Sequence, residues 1–323
     1  MADTDDDLIA RHVDGVMRQL QTVYEASRDD PDRYLRASEF VIQFSVRPSE
    51  VPPVTLHDDD YRVFRNFTDE SDLIIDIGAN SGYSAESIWA SGSGARVLSF
   101  EALHFHHASL AALKTAYGDR YDYRMRGLSN APAVLDFVIP VVNGVALTSL
   151  ATAWSDIHWP SLAENTIRFG DLEAYRNNRP VDLDLAFYQA NVERLDDALK
   201  QLNLTSHNTS ISAIKIDVEG LEPEVVEGAH ETLCRHKPLL LIEAAQYRAE
   251  MLATLKDMGY LIARRCGDVL EQTQELPPGL NTFFWHVDQR NFYETSGLLK
   301  PRRSVAVSVL RNWFKSVASH SNP

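Results

Sequence analysis

The stretch Leu73-Ile74-Ile75-Asp76-Ile77-Gly78-Ala79-Asn80-Ser81-Gly82-Tyr83 decides the fold, because an apolar run opens into a glycine-broken turn that leads into a helical pattern. The run reads as a buried strand. Glycines at 78 and 82 allow backbone angles and close approaches that a Cβ forbids. Amides in the first turn of the following helix point at whatever sits in the bend, so the loop suits a small anionic or zwitterionic ligand. A dinucleotide fingerprint, G-x-G-x-x-G, counted from Gly78 would want glycine at 80 and 83, where this chain has Asn80 and Tyr83. The spacing therefore argues against a pyrophosphate-cradling loop.

Outward from this stretch, the rhythm is strand, helix, strand, helix. Strands are expected near 73–78, 96–101, 121–128, 133–140, 212–217, 238–243, 259–265 and 281–287, with helices near 82–91, 104–117, 196–203, 222–236 and 246–258. Short β-rich runs alternating with amphipathic helices imply a parallel, doubly wound sheet, since each parallel crossover must cover a sheet face. The run Asn281 to Val287 follows Pro277-Pro278-Gly279 without a helix and is expected to pair antiparallel. Ahead of the α/β region, Leu8, Ile9, Val13, Val16, Met17, Leu20 and Val23 have helical spacing, and Pro48, Pro52 and Pro53 mark an extended linker or edge. Residues 150–186 hold Trp154, Trp159, Phe169 and Tyr175 in a connection longer than α/β units use, which reads as a substrate lid or as a structural insertion. The tail from Leu298 to Val317 sets Lys300, Arg302, Arg303, Arg311 and Lys315 between Val305, Val307, Val309, Leu310, Trp313 and Phe314. It reads as a basic amphipathic helix, for an anionic membrane surface or a partner, or else docked on its own domain or a sister subunit.

At 323 residues the chain holds one large α/β domain with additions, or two small domains, and 44% hydrophobic residues suffice for its core. A formal net charge of −15 argues against a general nucleic-acid binder, because neutralising phosphates needs a basic face. Cys234 and Cys266 form no C-x-x-C pair, so neither a disulfide framework nor a structural zinc site is indicated, and a reducing compartment is expected. The start of the chain is acidic where a signal peptide is basic, and no apolar run reaches the length of a membrane span, so the expectation is a cytoplasmic protein. The sequons at Asn66, Asn203 and Asn208 are read as accidental.

A second segment narrows the family. Ser212-Ala213-Ile214-Lys215-Ile216-Asp217-Val218-Glu219-Gly220-Leu221-Glu222 is a strand ending in acids, and a helix over Pro223–His236 follows it. Asp-x-Gly-x-Asn-x-Gly at 76–82 resembles motif I of S-adenosylmethionine (SAM) dependent methyltransferases. Taken with Phe100-Glu101, Val192-Glu193-Arg194-Leu195-Asp196-Asp197 and Leu241-Ile242-Glu243, the chain resembles FkbM-type methyltransferases over residues 70–287. The KIDVEG run at 215–220 is the specific part, because motif I is shared widely. The resemblance implies a Rossmann-like, seven-stranded class I sheet, mostly parallel with its last strand antiparallel and helices on both faces. Residues 1–70 become an N-terminal extension, 71–290 the methyltransferase domain and 291–323 a basic tail.

In an open parallel sheet, ligands bind beyond the C-terminal strand ends where the chain order reverses. Asp76, Glu101, Ser129, Asp217 and Glu243 all fall at such ends, and the resemblance assigns cofactor contacts to Asp76, Gly78, Asn80, Ser81, Gly82, Tyr83, Glu101, Ser129 and Asp217. Asp76 either orders the loop or receives the cofactor ammonium, and Asn80 tolerates left-handed backbone while suiting the cofactor carboxylate. Glu101 lies 25 positions after Asp76, one crossover helix away, and a carboxylate there can accept from two ribose hydroxyls. His104, His106 and His107 do not share the i, i+4 face that joint metal coordination requires, and read as a solvated helix start. Ser129 ends the third strand, where the resemblance places an adenine contact.

Asp217 and Glu243 are the catalytic candidates. Alternation sets Lys215 and Asp217 on one strand face and Ile214 and Ile216 on the other. Methyl transfer to a hydroxyl is an in-line displacement at a sulfonium carbon, so the protein must align the nucleophile, exclude water and remove a proton. An Asp217 carboxylate with its pKa raised by burial can take that proton, or a divalent metal can acidify the hydroxyl instead; Glu243 completes either arrangement. Magnesium is not favoured, because Ala244 stands where catechol-type enzymes have an Asn ligand, and Gly220 stands where they have a lysine base. No metal ligands are assigned. Glu219, Gly220 and Glu222 read as structural, with Lys215 pairing one of those acids. The expected activity is SAM-dependent O-methylation of a sugar, glycolipid or polyketide-like metabolite. N-methylation and a non-catalytic SAM-binding scaffold are the alternatives. The expected partners are a small-molecule or glycan acceptor, no nucleic acid, peripheral membrane contact through the tail, and a second copy of the chain.

Overall fold

Helix α1 (Asp5–Ser27) starts at a capping box, in which the Thr4 hydroxyl accepts from the Asp7 amide at 3.2 Å and the Asp7 carboxylate accepts from the Thr4 amide at 3.3 Å. The computed structural model describes residues 4–30, 32–34, 40–42, 56–204, 210–277, 279 and 281–301. The proline segment at 48–53, the sequon at Asn208 and the tail beyond residue 301 lie outside them. After α1 comes a short strand, β1 (Val41–Ile42). The motif stretch then forms β2 (Asp72–Ile77) and α2 (Tyr83–Ala90), followed by β3 (Arg96–Phe100), α3 (His107–Tyr117) and β4 (Tyr121–Arg124). An excursion follows through β5 (Gly127–Leu128), β6 (Ala133–Val142), β7 (Val145–Ala146), β8 (Thr152–Ala153), α4 (Trp159–Phe169), α5 (Leu172–Arg176) and β9 (Leu183–Glu193). The chain returns through α6 (Leu195–Gln201), β10 (Ser210–Ile216), α7 (Glu222–Gly228), α8 (His230–His236), β11 (Leu239–Glu243), α9 (Ala249–Asp257) and β12 (Tyr260–Cys266). It ends in β13 (Val269–Gln272), β14 (Asn281–His286) and α10 (Arg290–Thr295).

The first sheet runs β13-β12-β14-β11-β10-β2-β3-β4. Strands β4, β3, β2, β10 and β11 are mutually parallel, while β14 lies antiparallel between β11 and β12. The expected antiparallel strand is therefore found. The sheet has eight strands rather than seven, because Gly267, at φ +69°, turns β12 back into the hairpin strand β13. In β2, Leu73, Ile75 and Ile77 enter one core and Ile74 the other, with helices covering both faces. The α/β architecture is thus a class I methyltransferase-like fold. The single helix expected over 222–236 is two, broken at Ala229 (φ −102°, ψ 7°). At the break, Gly228 presses on the turn after β5, where an added Cβ would lie 2.0 Å from the Ser129 carbonyl oxygen.

A second sheet, β1-β7-β6-β9-β5 with β8 on β6, corrects two expectations. The run 121–128 divides between β4 in the first sheet and β5 in the second, and the expected 133–140 strand is β6, paired antiparallel with β9 over its whole length. Strand β9 had no counterpart in the sequence reading, and residues 150–186 lead into it. One face of this sheet, Val138, Leu185 and Phe187, packs with Leu8, Ile9, Val16 and Leu20 of α1 and with Ala163 and Ile167 of α4. Each buried Val, Leu, Ile or Phe side chain here contributes about 1.5–3 kcal/mol. The opposite face meets the first sheet's loops, with Phe137 and Ala190 on Leu221, and Ile139 and Ala186 beside Leu103.

Candidate active site

The order of the chain reverses at β2, whose neighbours are β3 on one side and β10 on the other, and the site lies beyond the C-terminal ends of these strands. The two turns touch through backbone. The Asp217 amide donates to the Ile77 carbonyl at 3.1 Å, and a Cβ on Gly78 (φ +78°) would lie 1.7 Å from the Asp217 carbonyl oxygen. Only glycine permits that approach. Asn80 holds the left-handed conformation expected of it, at φ +49°.

The amides of the loop itself are spent within the protein. Gly78 and Ala79 donate to the Phe100 carbonyl at 3.0 and 3.1 Å, and Gly82 donates to Ala79 at 2.8 Å. The Asn80 amide donates to Glu101 Oε2 at 2.7 Å, and the Asn80 side-chain oxygen accepts from the Ser81 amide at 2.7 Å and the Ser81 hydroxyl at 3.0 Å. Asp76 is fully buried. Its Oδ2 accepts from the hydroxyls of Ser84 at 2.7 Å and Ser99 at 2.9 Å, while Oδ1 faces the Lys215 ammonium at 3.5 Å.

Glu101 ends β3 with each oxygen on a backbone amide, Oε2 on Asn80 and Oε1 on Leu103 at 2.8 Å. Burial pushes its pKa up to about 7, against the lowering effect of those two hydrogen bonds. The three histidines after it do not form a uniform solvated start. His104 and His107 are exposed, but His106 is buried at 1% exposure, because α3 lies against the motif loop and brings the ring to Ser81. Ser129 is buried beside Gly228, and its amide donates to the Glu193 carbonyl at 2.9 Å. The preceding Gly127 abuts Ala102, next to Glu101.

On the other side of β2, oxygens of Asp217, Glu219 and Glu243 lie within 4.8 Å of one another. Lys215, buried at the end of β10, donates to the Gly78 carbonyl at 2.8 Å and stands 3.1 Å from Asp217 Oδ2. Burial alone would lower its pKa, but Asp217 and Asp76 hold it well above the ordinary lysine value. Lysine therefore pairs with Asp217 and Asp76, not with the acids after them. The division of charge also differs from the expectation that Asp217 is the raised acid. Burial opposes ionisation of Asp217, yet Lys215 and a hydrogen bond from Glu243 bring its pKa below the usual aspartate value. Glu243 is pushed up by burial and by the Asp217 charge, so the proton of the pair resides on Glu243. Glu219 is likewise raised, by burial first and then by Asp217.

Glu219 was read as structural, but left-handed backbone (φ +53°) turns its carboxyl into the cluster. Glu222 is the structural acid, accepting from the amides of Val218 at 3.3 Å and Gly220 at 3.2 Å, with Arg248 3.5 Å from its other oxygen. Three acids invite a cation, but Lys215 already supplies the counter-charge to Asp217, and no metal is assigned. The segment before the motif also reaches the site, which no pattern in the sequence signalled. His57 stacks on Tyr83 at 5.7 Å with its backbone amide on the Ser87 hydroxyl at 2.8 Å, and buried Tyr61 lies within the field of Lys215, Asp76, Asp217 and Glu243. The aromatic residues of 150–186 lie elsewhere. Trp154 and Trp159 meet Tyr24 of α1 edge-on at 5.3 and 5.2 Å, Tyr175 lies 5.3 Å from His12, and Phe169 is exposed. Among the described residues no helix is long and apolar enough to cross a membrane.

No curated protein matches the chain. Among solved structures it is similar to an FkbM methyltransferase from Methylobacillus flagellatus, at 17% identity and a TM-score of 0.40, over 82% of this chain and 60% of that one. The chain thus spans 60% of that relative's length. It is also similar to an O-methyltransferase from Bacillus cereus in complex with SAH, at 12% identity and a TM-score of 0.35, over 84% of this chain and 97% of that one. A third is the O-methyltransferase TomG from Streptomyces achromogenes, involved in tomaymycin synthesis and solved with SAM, at 11% identity and a TM-score of 0.35, over 83% and 95% of the two chains. The model of the methyltransferase FkbM domain matches residues 76–262, more than half of the sequence. That span runs from the buried aspartate of β2 to the middle of β12 and takes in Glu101, Asp217 and Glu243, so the chain belongs to the FkbM methyltransferase family.

Proposed function

We propose that this methyltransferase uses SAM and methylates a hydroxyl of a sugar, a glycolipid headgroup or a polyketide-like metabolite. The observation that carries the reading is the pair of carboxylates after β3 and β10, on either side of β2: Glu101, oriented by two amides, and Asp217, 3.1 Å from the Lys215 ammonium and clustered with Glu243. SAM fits the donor set, because each Glu101 oxygen has accepted one amide hydrogen and keeps a lone pair for a ribose hydroxyl. When bound, SAM supplies a methyl group on a positively charged sulfur that needs no further activation. Asp76, whose Oδ2 accepts two hydroxyls and whose Oδ1 faces Lys215, orders the loop, and Asn80, Ser81, Gly82 and Tyr83 shape the wall of the ligand site. Ser129 flanks the same end of the sheet.

Asp217 is the proton acceptor for the acceptor hydroxyl, Glu243 orients it by donating a hydrogen bond, and Lys215 holds it ionised until the proton arrives. Apolar residues on the second sheet's inner face, Phe137 and Ala190 against Leu221, cover the loops and exclude water. The compartment this reading assumes is the cytoplasm, in keeping with Cys234 and Cys266 as free thiols. The test is calorimetry with SAM, S-adenosylhomocysteine (SAH) and NAD, followed by a mass-spectrometric turnover screen over hydroxylated glycans and metabolites. NAD binding without SAM binding overturns the cofactor; SAM binding with turnover only of amines overturns O-methylation.

A further inference from the structure

We infer that His106 is a positioning residue for the cofactor loop, tying Ser81 and Asn80 to Glu101 and so setting the affinity for SAM and SAH. The inference rests on the cofactor reading above. His106 Nδ1 lies 3.2 Å from the Ser81 hydroxyl, and both residues are buried at 1% exposure. That hydroxyl donates to the Asn80 side-chain oxygen at 3.0 Å, and the Asn80 amide donates to Glu101 at 2.7 Å. One chain of hydrogen bonds therefore runs from the start of α3 through the loop to the acid proposed to hold the ribose. The Ser81 proton is committed to Asn80, so the consistent tautomer has Nδ1–H donating to Ser81.

That arrangement has an energetic cost. His106 Nε2 is buried and has no hydrogen-bond partner among the described residues. An unpaired buried polar atom is unfavourable, and an apolar residue of similar shape would avoid it. Burial also depresses the His106 pKa to about 4, which keeps the ring neutral, so that only one nitrogen carries a hydrogen to donate. A residue present for packing alone would not retain a nitrogen in such a place; one that holds the loop must keep Nδ1 and tolerate Nε2. Strain or loss of stability accepted at a functional site is the general pattern.

The experiment measures SAH affinity by calorimetry and the melting temperature for the full chain and for His106→Phe, His106→Asn and Ser81→Ala. Expected for His106→Phe is a loss of roughly tenfold or more in SAH affinity, the size of one removed hydrogen bond, with the melting temperature unchanged or raised. His106→Asn, whose amide can replace the Nδ1 donor, recovers most of the affinity. Ser81→Ala reproduces the loss, and combining it with His106→Phe adds little more. If His106→Phe binds SAH as tightly as the unaltered chain, or if affinity and melting temperature fall together without recovery in His106→Asn, the inference is overturned. An unaltered chain that binds neither SAM nor SAH overturns the cofactor reading itself, and this inference with it.

Discussion

Glu101 is the residue whose titration should be easiest to see. Its pKa is raised to about 7 in the folded protein by burial, above the ordinary value of 4.5, so below about pH 7 it is mostly protonated. A group raised on folding stabilises the folded state fully below its unfolded value and loses that contribution as pH rises through 7. Binding to ribose hydroxyls as an ionised acceptor has the opposite slope. SAH affinity is expected to rise between pH 5 and 7, by up to about tenfold per unit, and Glu101→Gln should flatten the rise; calorimetry across that window checks it, and an unchanged slope in the variant removes Glu101 from the ligand. Asp217→Asn should leave the fold intact and lower turnover by roughly 10²–10⁴, the range for loss of a general base. Glu243→Gln should lower it less, because the amide still donates a hydrogen bond to Asp217. The placement of Asp76, Glu101, Asp217 and Glu243 at strand ends was legible from the sequence because each acid closes an apolar run. His106 and Glu219 were not. The burial of one comes from α3 lying on the loop, and the direction of the other comes from a left-handed residue, neither of which leaves a periodic trace.

Among the elements, the turn between β2 and α2 is the most constrained. Gly78→Ala adds a Cβ 1.7 Å from a backbone oxygen at φ +78°, where no flexible side chain can give way. Destabilisation of more than about 1 kcal/mol is expected in urea unfolding, beyond the intrinsic cost of a left-handed alanine. Gly82→Ala should cost less, since its Cβ would meet the end of the Leu113 side chain, which can turn aside. Apart from the hairpin strand β13, the strands of the first sheet were legible as β-rich runs between turn residues, and β14 was legible as antiparallel because no helix precedes it. Strand β9 was not, since Leu183–Glu193 mixes Asp184, Gln189 and Asn191 with its apolar residues and its partner residues in β6 lie 41 to 59 positions away. The aromatic character of 150–186 was visible, but what those rings pack against depends on α1, which no local pattern connects to them.

At the scale of the whole molecule, the two sheets are joined through the loops that carry the site, so cation requirement and folding can be tested on the intact chain. Lys215 occupies the place of a counter-ion to Asp217, and turnover should therefore be unaffected by a strong chelator; inactivation by the chelator with recovery on adding magnesium would reassign Asp217, Glu219 and Glu243 as ligands. The segment 154–176 gives a sharper test of the architecture. A lid that only covers the acceptor could be removed with SAH binding intact. Here the same segment supplies Trp154, Trp159, Ala163, Ile167 and Tyr175 to the core between α1 and the second sheet, and Arg168 reaches Asp6 of α1 at 2.9 Å. Removing it strips α1 and the outer face of β6 and β9 of their cover. The second sheet's inner face rests on Leu103 and Leu221, beside Glu101 and the turn after Asp217, so its collapse reaches the site. Deletion of 154–176 should therefore abolish cooperative thermal unfolding of the second sheet and weaken SAH binding together, as should Leu20→Ala in milder form, at about 2–5 kcal/mol for a fully buried leucine. A deleted chain that melts cooperatively and binds SAH normally would return the segment to the role of a detachable cover.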